Sequence, residues 1–488
     1  MMVLDKILNN ISAIQVVGNT QAIEINKISI DSRDVDPKSI FIAIKGYKLD
    51  GHKFISQAVS NGAAAVILEE DERGINQLLK LNGVVKILVA NSRKTLASLS
   101  NSFYDFPSRK LNLIGITGTK GKTTTSYYIK NILENSGRPS GVIGTNKNMI
   151  GQKIIDTKLT TPEAHVINKL MNDMVKQQCN DCIMEVSSHS LELSRVDELD
   201  FNVGVFTNIT SDHLDFHSTF NNYLAAKKIF FDNLKSNAQI VYNKDDANYS
   251  ALLNDTVANK ISYSVTSDAD LRLKNIEYDL NGTSFLLCHN SQDYEVNTGL
   301  IGKFNAYNST AAIGASISSG ISIEKAIEGI YSTPQVPGRF EVLSSGDKKI
   351  IIDYSHTVDS LKQALEAVKY IVKDERPIYT VFGCGGDRDK TKRPLMGKVA
   401  GELSNYAYVT SDNPRTEDPF EIIKDIESGM GSENYKSIED RELAIKSAIE
   451  DSENNAVILI AGKGHENYQE INGVRNHFSD KEVAQKYM

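Results

Sequence analysis

Residues 111–130 read LNLIGITGTKGKTTTSYYIK, and this segment decides the class of fold. Its first seven residues are mostly apolar and predict a buried strand, whereas residues 123–134 predict a helix. Between strand and helix lies the sequence Gly118-Thr119-Lys120-Gly121-Lys122-Thr123-Thr124. Glycines let backbone N–H groups approach phosphate oxygens closely, and a helix N-terminus adds partial positive charge. The segment therefore predicts a phosphate-binding loop.

The residue types within this loop indicate a nucleoside triphosphate as the ligand. Lys122 is expected to reach the β- and γ-phosphates of ATP, and the hydroxyl of Thr123 is expected to bind Mg²⁺. The usual loop has a further glycine five residues before Gly121, where this chain has Ile116. The match is thus to a shortened G-x-x-G-K-T-T form. A chance glycine turn is the alternative, which the flanking strand and helix disfavour.

Apolar runs on both sides of the loop extend the pattern over the whole chain. Strands are predicted at residues 40–44 (half-buried), 63–68, 87–90, 183–186, 203–207, 240–242, 349–354, 378–382, 407–410 and 456–461. Helical stretches separate most of them, which predicts an α/β fold with a mostly parallel central sheet. Turn-rich segments at 104–110 and 333–339 divide the chain into predicted domains at 1–107, 108–336 and 337–488.

Composition excludes several classes of protein. The 62 acidic residues outnumber the 54 basic ones, so the formal charge of -8 argues against general nucleic-acid binding. The longest apolar runs are too short to cross a bilayer, and the first residues do not resemble a secretion signal. Cys179 and Cys182 form one isolated C-x-x-C pair, which is more typical of free thiols in a reducing compartment than of zinc. A cytoplasmic protein without membrane insertion is expected.

Carboxylate and imidazole side chains follow two strands of the predicted central sheet. Glu185 ends one strand and His213 lies just beyond another, and ligands bind at such strand ends in parallel sheets. Either residue could instead have no functional role. A lone histidine after a strand, in particular, is more often a surface or core residue than a metal ligand. Asp212, Asp215 and His217 compete with them as metal ligands.

The order of motifs along the chain resembles that of the Mur ligase family, from about residue 29 to near the C-terminus. The matching segments are DSRDV, GTKGKTT, EVSSHSLELSRV, NITSDHLDFH, YLAAK, GRFE, DYSHTVDSL, GCGGDRDKTKRPLM, TSDNPRTEDP and AGKGHENYQ. The resemblance implies a UDP-sugar-binding domain, a central ATPase and a C-terminal Rossmann-like domain that binds an amino acid. It also implies an ATP-dependent, ADP-forming ligase of peptidoglycan precursor biosynthesis, acting through an acyl phosphate.

The resemblance further implies a role for individual residues of the ATPase. Glu185 and His213 would bind Mg²⁺, and Lys227 of YLAAK would carry a carbamate that helps to hold the metal. From the residues alone, Lys227 is an exposed helix lysine. Neighbouring Lys228 either lowers the pKa of Lys227 or is a solvated surface lysine. Besides the loop residues 118–124, the implied ATP contacts are Asn305, Arg339 and Asp353.

The two remaining substrates have implied contacts as well. UDP-N-acetylmuramoyl-L-alanyl-D-glutamate would bind Ser32, Thr160, Thr161, Ser187 and Arg195, although Leu159 replaces the asparagine of many relatives. The amino acid would bind Arg388, Asp412, Asn413, Pro414, Arg415, Gly462 and Glu466. The DNPR segment favours meso-diaminopimelate as the amino acid. The arginine of this segment can bind the carboxylate at the far end of diaminopimelate, where lysine has only an ammonium group. Alternatively, Arg415 only caps a turn.

Other functions stay open at this point. The same ligation with L-lysine or another diamino acid is one of them, and a ligase that adds D-alanyl-D-alanine or extends folate with glutamate is another. A catalytically inactive nucleotide-binding homologue is a third, although no expected lysine or metal ligand is missing. A monomer is expected.

Overall fold

The computed structural model describes residues 2–46, 49–373, 375–431 and 433–488. The chain forms two compact units, one of residues 1–263 with 314–323 and one of residues 264–313 with 324–488. Among the described residues, no helix combines the length and the apolar character that a membrane crossing requires.

The N-terminal part of the first unit is built around a five-stranded sheet of order β2-β7-β6-β5-β4. Only β2 runs antiparallel to its neighbour. Short 3₁₀ turns occupy Ser32–Asp34, Gly51–Phe54 and Pro107–Lys110. The elements are β1 (Met2–Val3), α1 (Leu4–Leu8), β2 (Ala13–Val17), β3 (Glu24–Ile25), β4 (Lys27–Ser29), β5 (Ser39–Ile42), α2 (Ile55–Ser60), β6 (Ala63–Leu68), α3 (Arg73–Leu81), β7 (Val85–Val89) and α4 (Ser92–Phe103).

The second sheet of this unit carries the phosphate loop. Its strands have the order β11-β10-β9-β12-β8-β13-β14-β15, and the six from β9 to β15 are parallel. The elements are β8 (Asn112–Thr117), α5 (Lys122–Asn135), β9 (Ser140–Ile143), β10 (Asn148–Ile150), β11 (Lys153–Ile155), α6 (Ala164–Lys176), β12 (Asp181–Glu185), α7 (Ser188–Glu192), β13 (Val203–Phe206), α8 (Leu214–His217), α9 (Phe220–Asp232), β14 (Gln239–Asn243), α10 (Tyr249–Leu253) and β15 (Asn259–Ser264).

The second unit contains three consecutive antiparallel strands, β16, β17 and β18, and a six-stranded sheet of order β19-β20-β24-β21-β22-β23. All but β19 are parallel in the larger sheet, and buried apolar clusters cover both of its faces. The elements are β16 (Leu271–Asp279), β17 (Gly282–His289), β18 (Gln292–Thr298), α11 (Lys303–Ser318), α12 (Ile323–Tyr331), β19 (Glu341–Ser345), β20 (Lys348–Asp353), α13 (Val358–Val372), β21 (Ile378–Phe382), α14 (Lys392–Leu403), β22 (Tyr406–Val409), α15 (Pro419–Glu427), β23 (Tyr435–Ser437), α16 (Arg441–Asp451), β24 (Val457–Ala461), β25 (Tyr468–Ile471), β26 (Val474–His477) and α17 (Asp480–Tyr487).

The predicted α/β class, with a mostly parallel central sheet, is confirmed. A strand is present at residues 39–42, but the prediction that it is half-buried is wrong, because all four residues of β5 are buried. Strand β5 lies between β4 and β6 in parallel pairing, and strands covered on both faces need no polar alternation. The three domain boundaries stay a prediction.

One buried ion pair joins the last two helices of the second unit. The guanidinium of Arg441 in α16 binds Asp480 at the start of α17, with N–O distances of 2.7 and 2.8 Å, and both side chains are fully buried. Lys486 and Glu442 join the same helices at 2.7 Å on the surface.

We expect Asp480→Asn to lower the free energy of unfolding by about 3 kcal/mol, because it leaves a buried charge uncompensated. The matched control Lys486→Gln should cost less than about 1 kcal/mol, as exposed pairs do. Urea unfolding followed by circular dichroism measures both losses. Equal losses of unfolding free energy in the two variants would contradict the prediction that the buried pair stabilises the fold more than the exposed pair does.

Candidate active site

The phosphate loop is shaped by two glycines in the left-handed region. Gly118 has φ 150° and Gly121 has φ 87°, conformations that side chains disfavour. A Cβ atom at Gly118 would also overlap the hydroxyl oxygen of Thr207. Asn208, which follows β13, accepts the Lys120 N–H through its side-chain oxygen at 2.9 Å. The neighbouring strand end therefore fixes the path of the loop.

Lys122 is the first residue of α5, as a phosphate-loop lysine must be to reach a bound phosphate. Its ammonium donates to the carbonyl oxygen of Gly118 at 2.7 Å and to that of Thr119 at 3.1 Å. The side chain thus lies back over the loop that it closes. The predicted strand before the loop and helix after it are confirmed, although the helix begins at Lys122, one residue earlier than predicted.

Glu185 ends β12 beside the start of α5 and is buried. Its carboxylate accepts the Thr123 hydroxyl at 3.0 Å, the Thr145 N–H at 3.0 Å and the Thr145 hydroxyl at 2.8 Å. Two of the four expected metal ligands, Thr123 and Glu185, are therefore in direct contact. Thr145 holds the carboxylate in place from the segment after β9.

Lys227 is buried in α9, with 1% of its surface exposed, so the exposed helix lysine suggested by the residues alone is wrong. Its ammonium donates to the carbonyl oxygen of Gly118 at 3.0 Å. Burial, reinforced by the charge of Lys122, holds the pKa of Lys227 well below its ordinary value, against the opposing effect of Asp212. A lowered pKa increases the fraction of neutral amine, which is the form that reacts with carbon dioxide.

Lys228 points to a different environment. It pairs with Asp232 at 2.6 Å and with Asp255 at 2.7 Å. Partial burial opposes the effect, but these two hydrogen bonds raise the pKa of Lys228 above its ordinary value. The cation that lowers the pKa of Lys227 is therefore Lys122 and not Lys228. Of the two alternatives for Lys228, that of a surface lysine is the one that agrees with its contacts.

His213 follows β13 in a left-handed conformation with φ 54°. Its ring contacts the ring of His189 edge-on, with centroids 4.9 Å apart. Burial lowers the pKa of His213, as do the charges of Lys122 and Lys227, while Asp212 opposes them. A neutral imidazole is the form that can coordinate a metal.

The competing candidates have other contacts. His217 is buried, and its Nε2 atom lies 2.9 Å from the hydroxyl oxygen of Ser188. Asp212 accepts the N–H of His213 at 2.9 Å, and Asp215 is exposed in α8. His217 is therefore used within the fold, whereas Asp212 stays beside the loop.

The donor set fits Mg²⁺ in part. A hydroxyl from Thr123 and a carboxylate from Glu185 are oxygen donors of the kind that Mg²⁺ binds. The ammonium of Lys227 cannot be a ligand, and only a carbamate on its nitrogen would supply oxygens. A second group, formed by Asp50, His52 and Glu70, also brings possible ligand atoms within 4.8 Å of one another. There the imidazole of His52 already bonds to Asp50 and to a backbone N–H, so the group has a structural explanation.

Four of the five predicted UDP-sugar residues cluster beyond β12. The Thr161 hydroxyl donates to the Glu185 carbonyl at 2.7 Å and lies 3.2 Å from the Ser187 hydroxyl. Arg195 donates to the Thr161 carbonyl oxygen at 3.1 Å, and the hydroxyl oxygens of Thr160 and Thr145 lie 3.1 Å apart. These side chains form one polar group next to Glu185, one of the expected metal ligands.

Ser32, the fifth predicted UDP-sugar residue, belongs to the N-terminal sheet. Its hydroxyl donates to Gln57 at 2.7 Å, and its carbonyl accepts from Asn61. Leu159 is exposed, and its carbonyl oxygen accepts the hydroxyl of Thr157. Arg195 also pairs with Glu163 at 2.6 Å, a partner that the sequence did not single out.

The three further ATP candidates lie in the second unit and are engaged in local contacts. Asn305 is buried in α11, where its side-chain amide donates to the carbonyl oxygen of Ile301 at 2.9 Å. Arg339 lies over the ring of Tyr354, 4.8 Å from its centroid. Asp353 ends β20 and accepts the N–H of Phe340 at 2.8 Å. Their role in ATP binding stays a prediction.

The predicted amino-acid residues surround the ends of β21, β22 and β24. Asn413 donates to Glu466 at 2.9 Å and accepts the ammonium of Lys463 at 3.1 Å. Arg415 has φ 53°, and its guanidinium donates to the Gly386 carbonyl at 2.7 Å. Gly462 lacks a side chain where a Cβ would lie 2.6 Å from a carboxylate oxygen of Asp412.

Arg388 is exposed on the loop after β21, and Pro414 is buried next to Asn413. The structure therefore brings Asp412, Asn413, Pro414, Gly462 and Glu466 together, with Arg415 beside them. The pocket itself stays a prediction.

Three residues of this chemistry were missed by the sequence analysis. Thr145 and Asn208 position Glu185 and the phosphate loop, and Lys463 is fully buried beside Glu466. Lys463 had a signal, since it stands between two glycines in AGKGHE, a spacing typical of a tight turn. Thr145 had none, because its segment has no distinguishing pattern.

Family models match the three regions of the chain in order. The model described as Mur ligase family, catalytic domain, matches residues 24–104. The Mur ligase middle domain matches residues 116–316, and the Mur ligase, glutamate ligase domain, matches residues 338–464.

Similar proteins cover the full length. The UDP-N-acetylmuramoyl-L-alanyl-D-glutamate--2,6-diaminopimelate ligase 1 of Clostridium acetobutylicum is 43% identical, over 100% of this chain and 99% of its own. A solved structure of a ligase with the same name, without the numeral, is 32% identical, with a TM-score of 0.69 over 100% of this chain and 98% of that one. The Thermotoga maritima MurF ligase in complex with ADP shares the fold at 20% identity, with a TM-score of 0.64 over 95% and 96% of the two chains. On this full-length similarity, the chain belongs to the Mur ligase family.

Proposed function

We propose that this chain joins meso-2,6-diaminopimelate to UDP-N-acetylmuramoyl-L-alanyl-D-glutamate in peptidoglycan precursor biosynthesis, with ATP cleaved to ADP and phosphate. The observation that carries the proposal is the full-length similarity, at 43% identity, to a relative of that name. The phosphate loop next to Glu185 and Lys227 supplies the matching chemistry.

A carboxylate does not condense with an amine at neutral pH, because it is anionic and oxide is a poor leaving group. The proposed reaction first transfers the γ-phosphoryl group of ATP to the D-glutamate γ-carboxylate. The amine of diaminopimelate then attacks the acyl phosphate, an amide forms and phosphate leaves. Two anions must meet in the first step, so cationic groups such as Lys122 are needed to neutralise their charge.

We propose that Thr123, Glu185, His213 and carbamylated Lys227 hold Mg²⁺. The ion would supply positive charge near the transferred phosphoryl group. Support comes from the contact between Thr123 and Glu185 and from the lowered pKa values of His213 and Lys227, which favour the neutral forms that this role requires.

The proposed amino-acid specificity depends on charge. Diaminopimelate carries both a carboxylate and an ammonium at its far end, whereas lysine carries an ammonium alone. Arg415 is held by the Gly386 carbonyl and by backbone bonds to Glu470 and Asn472. A fixed guanidinium matches the carboxylate of diaminopimelate and repels the ammonium of lysine.

We further propose a cytoplasmic monomer. All four cysteines are free thiols, as is usual in a reducing compartment. Of the other functions, an inactive homologue is disfavoured because the lysine of the loop and the carboxylate at β12 are both in place. A ligase for D-alanyl-D-alanine or for folate has no specific observation in its favour.

We expect Lys122→Ala to reduce ATP-dependent ligation by about 100-fold or more, because one fixed cation at a transferring phosphoryl group contributes that much. Phosphate release in the presence of all three substrates measures the effect. Lys176→Ala, which changes an exposed lysine in the last turn of α6, should retain full activity. Full turnover by the Lys122 variant would remove the phosphate-loop assignment.

Carbamylation has its own test in a pair of adjacent lysines. With ¹³C-bicarbonate, the wild-type protein should show a carbamate resonance by NMR, because the buried Lys227 amine has a lowered pKa. Lys227→Arg should lose the resonance and Lys228→Arg should keep it, since the pKa of Lys228 is raised. A resonance that survives in the Lys227 variant would assign the carbamate to another amine.

A panel of diaminopimelate, L-lysine and L-ornithine decides the amino acid. We expect kcat/KM for diaminopimelate to exceed that for lysine by about 100-fold or more, since a site built for one polar group rejects an analogue that lacks it. Arg415→Gln should narrow this ratio. A clear preference of the wild-type enzyme for lysine would overturn the interpretation of Arg415 and leave the ligase assignment standing.

A further inference from the structure

A charged side chain that the proposed reaction does not use lies fully buried beneath the amino-acid residues. Arg393, in the first turn of α14, donates to the two carboxylate oxygens of Glu417 at 2.9 and 3.1 Å. A third bond, of 2.8 Å, reaches Asp425 in α15. A cation without solvent exposure is costly unless it is paired, so this cluster holds its members firmly in one arrangement.

Glu417 extends the cluster into the loop after β21, residues 385–390, here called the first arginine loop because it carries Arg388. Its carboxylate accepts the N–H of Asp387 at 2.5 Å and the ammonium of Lys390 at 3.0 Å. The hydrogen bond from Arg393 is the largest cause that holds the pKa of Glu417 at about 2, so the carboxylate stays charged. Arg388 is thus flanked on both sides by residues that one carboxylate holds.

The second arginine loop, residues 412–417, carries Arg415 and is bonded directly to the first. The Asp387 carboxylate accepts the hydroxyl of Thr416 at 2.7 Å. Gly386 donates its N–H to the carbonyl of Asn413 at 2.9 Å and accepts the guanidinium of Arg415 at 2.7 Å. At Gly386 a Cβ atom would overlap the carbonyl oxygen of Pro414, so the two backbones are in close contact.

We propose that Arg393 and Glu417 are positioning residues for amino-acid recognition: through one ion pair, whose guanidinium is fully buried, they set the spacing of the two arginine loops, and hence of Arg388 and Arg415. The inference deepens the proposed function and rests on it. Neither residue needs to touch a substrate. Arg388 and Arg415 belong to different loops, so their separation depends on what joins the loops, and a carboxylate-binding site tolerates little error in that separation.

The test compares two isosteric changes around the same guanidinium. Glu417→Gln removes the carboxylate that reaches the first arginine loop, whereas Asp425→Asn removes a partner of Arg393 that lies in α15, outside both loops. We expect Glu417→Gln to raise the KM for diaminopimelate at least tenfold, with the KM values for ATP and the UDP-linked substrate changed less than twofold. Asp425→Asn should leave all three KM values within twofold of wild type.

Thermal denaturation of both variants separates positioning from stability. A purely structural cluster would lower the melting temperature in both variants and leave the KM for diaminopimelate unchanged, and that result would overturn the proposal. If Glu417→Gln does not fold, Glu417→Asp decides instead. It keeps the charge but shortens the side chain that reaches both Arg393 and the N–H of Asp387, and it should raise the same KM about threefold. An unchanged KM in a folded Glu417→Asp protein would overturn the proposal as well.

Wild-type activity distinguishes this inference from the function on which it rests. Absence of ligation with every amino acid of the panel would reject the proposed function. If the wild-type enzyme prefers a different diamino acid, the KM comparison is made with that substrate, because the loops carry the same arginines. Normal ligation together with unchanged KM values in the Glu417 variant would reject only the positioning role.

Discussion

The ammonium groups of Lys122 and Lys227 donate to one carbonyl oxygen, that of Gly118, at 2.7 and 3.0 Å. Two like charges on a single acceptor repel each other, and the burial of Lys227 adds a desolvation cost. The phosphate loop must therefore keep a cation at the start of α5 while the neighbouring lysine is driven towards its neutral form. The geometry of β8, β12 and β13 supports this arrangement, because the parallel strands bring their carboxyl ends to one edge of the sheet.

Charge is handled differently in the C-terminal sheet. There the buried cations have anionic partners: Arg393 binds Glu417 and Asp425, and Lys463 lies 3.4 Å from Glu466. Charge-assisted hydrogen bonds of this kind are strong and fix the loops that carry them. The proposed nucleotide site thus contains a buried lysine whose pKa is lowered, whereas the cations buried near the proposed amino-acid site are paired with carboxylates.

The sequence was sufficient for the features that follow from local pattern. The strand at residues 63–68, the helix after Gly121 and the position of Glu185 at a strand end were all predictable from apolar runs and glycine spacing. Burial of Lys227 was not, since α9 has a lysine at positions 227 and 228 and only the tertiary fold shows which one faces the loop. The prediction that the strand at residues 40–44 is half-buried was wrong for the same reason. Whether both faces of a strand are covered depends on the elements that pack against it, which the local sequence does not show.

Partners that are far apart in sequence explain the rest of what was missed. Thr145 lies 40 residues from Glu185, and Glu417 lies 24 residues from Arg393, so no local pattern marks either contact. Thr145 and Glu417 orient other side chains and are not themselves proposed to react. Replacing either one should therefore leave every proposed reacting group in the protein. A change at Thr145 would alter how the Glu185 carboxylate is oriented, while a change at Glu417 would alter where two arginines stand. Under the proposed roles, the first kind of defect would act on the rate of the chemical step and the second on the affinity for one substrate. Measurements of kcat and KM together would then report which sheet a substitution has disturbed.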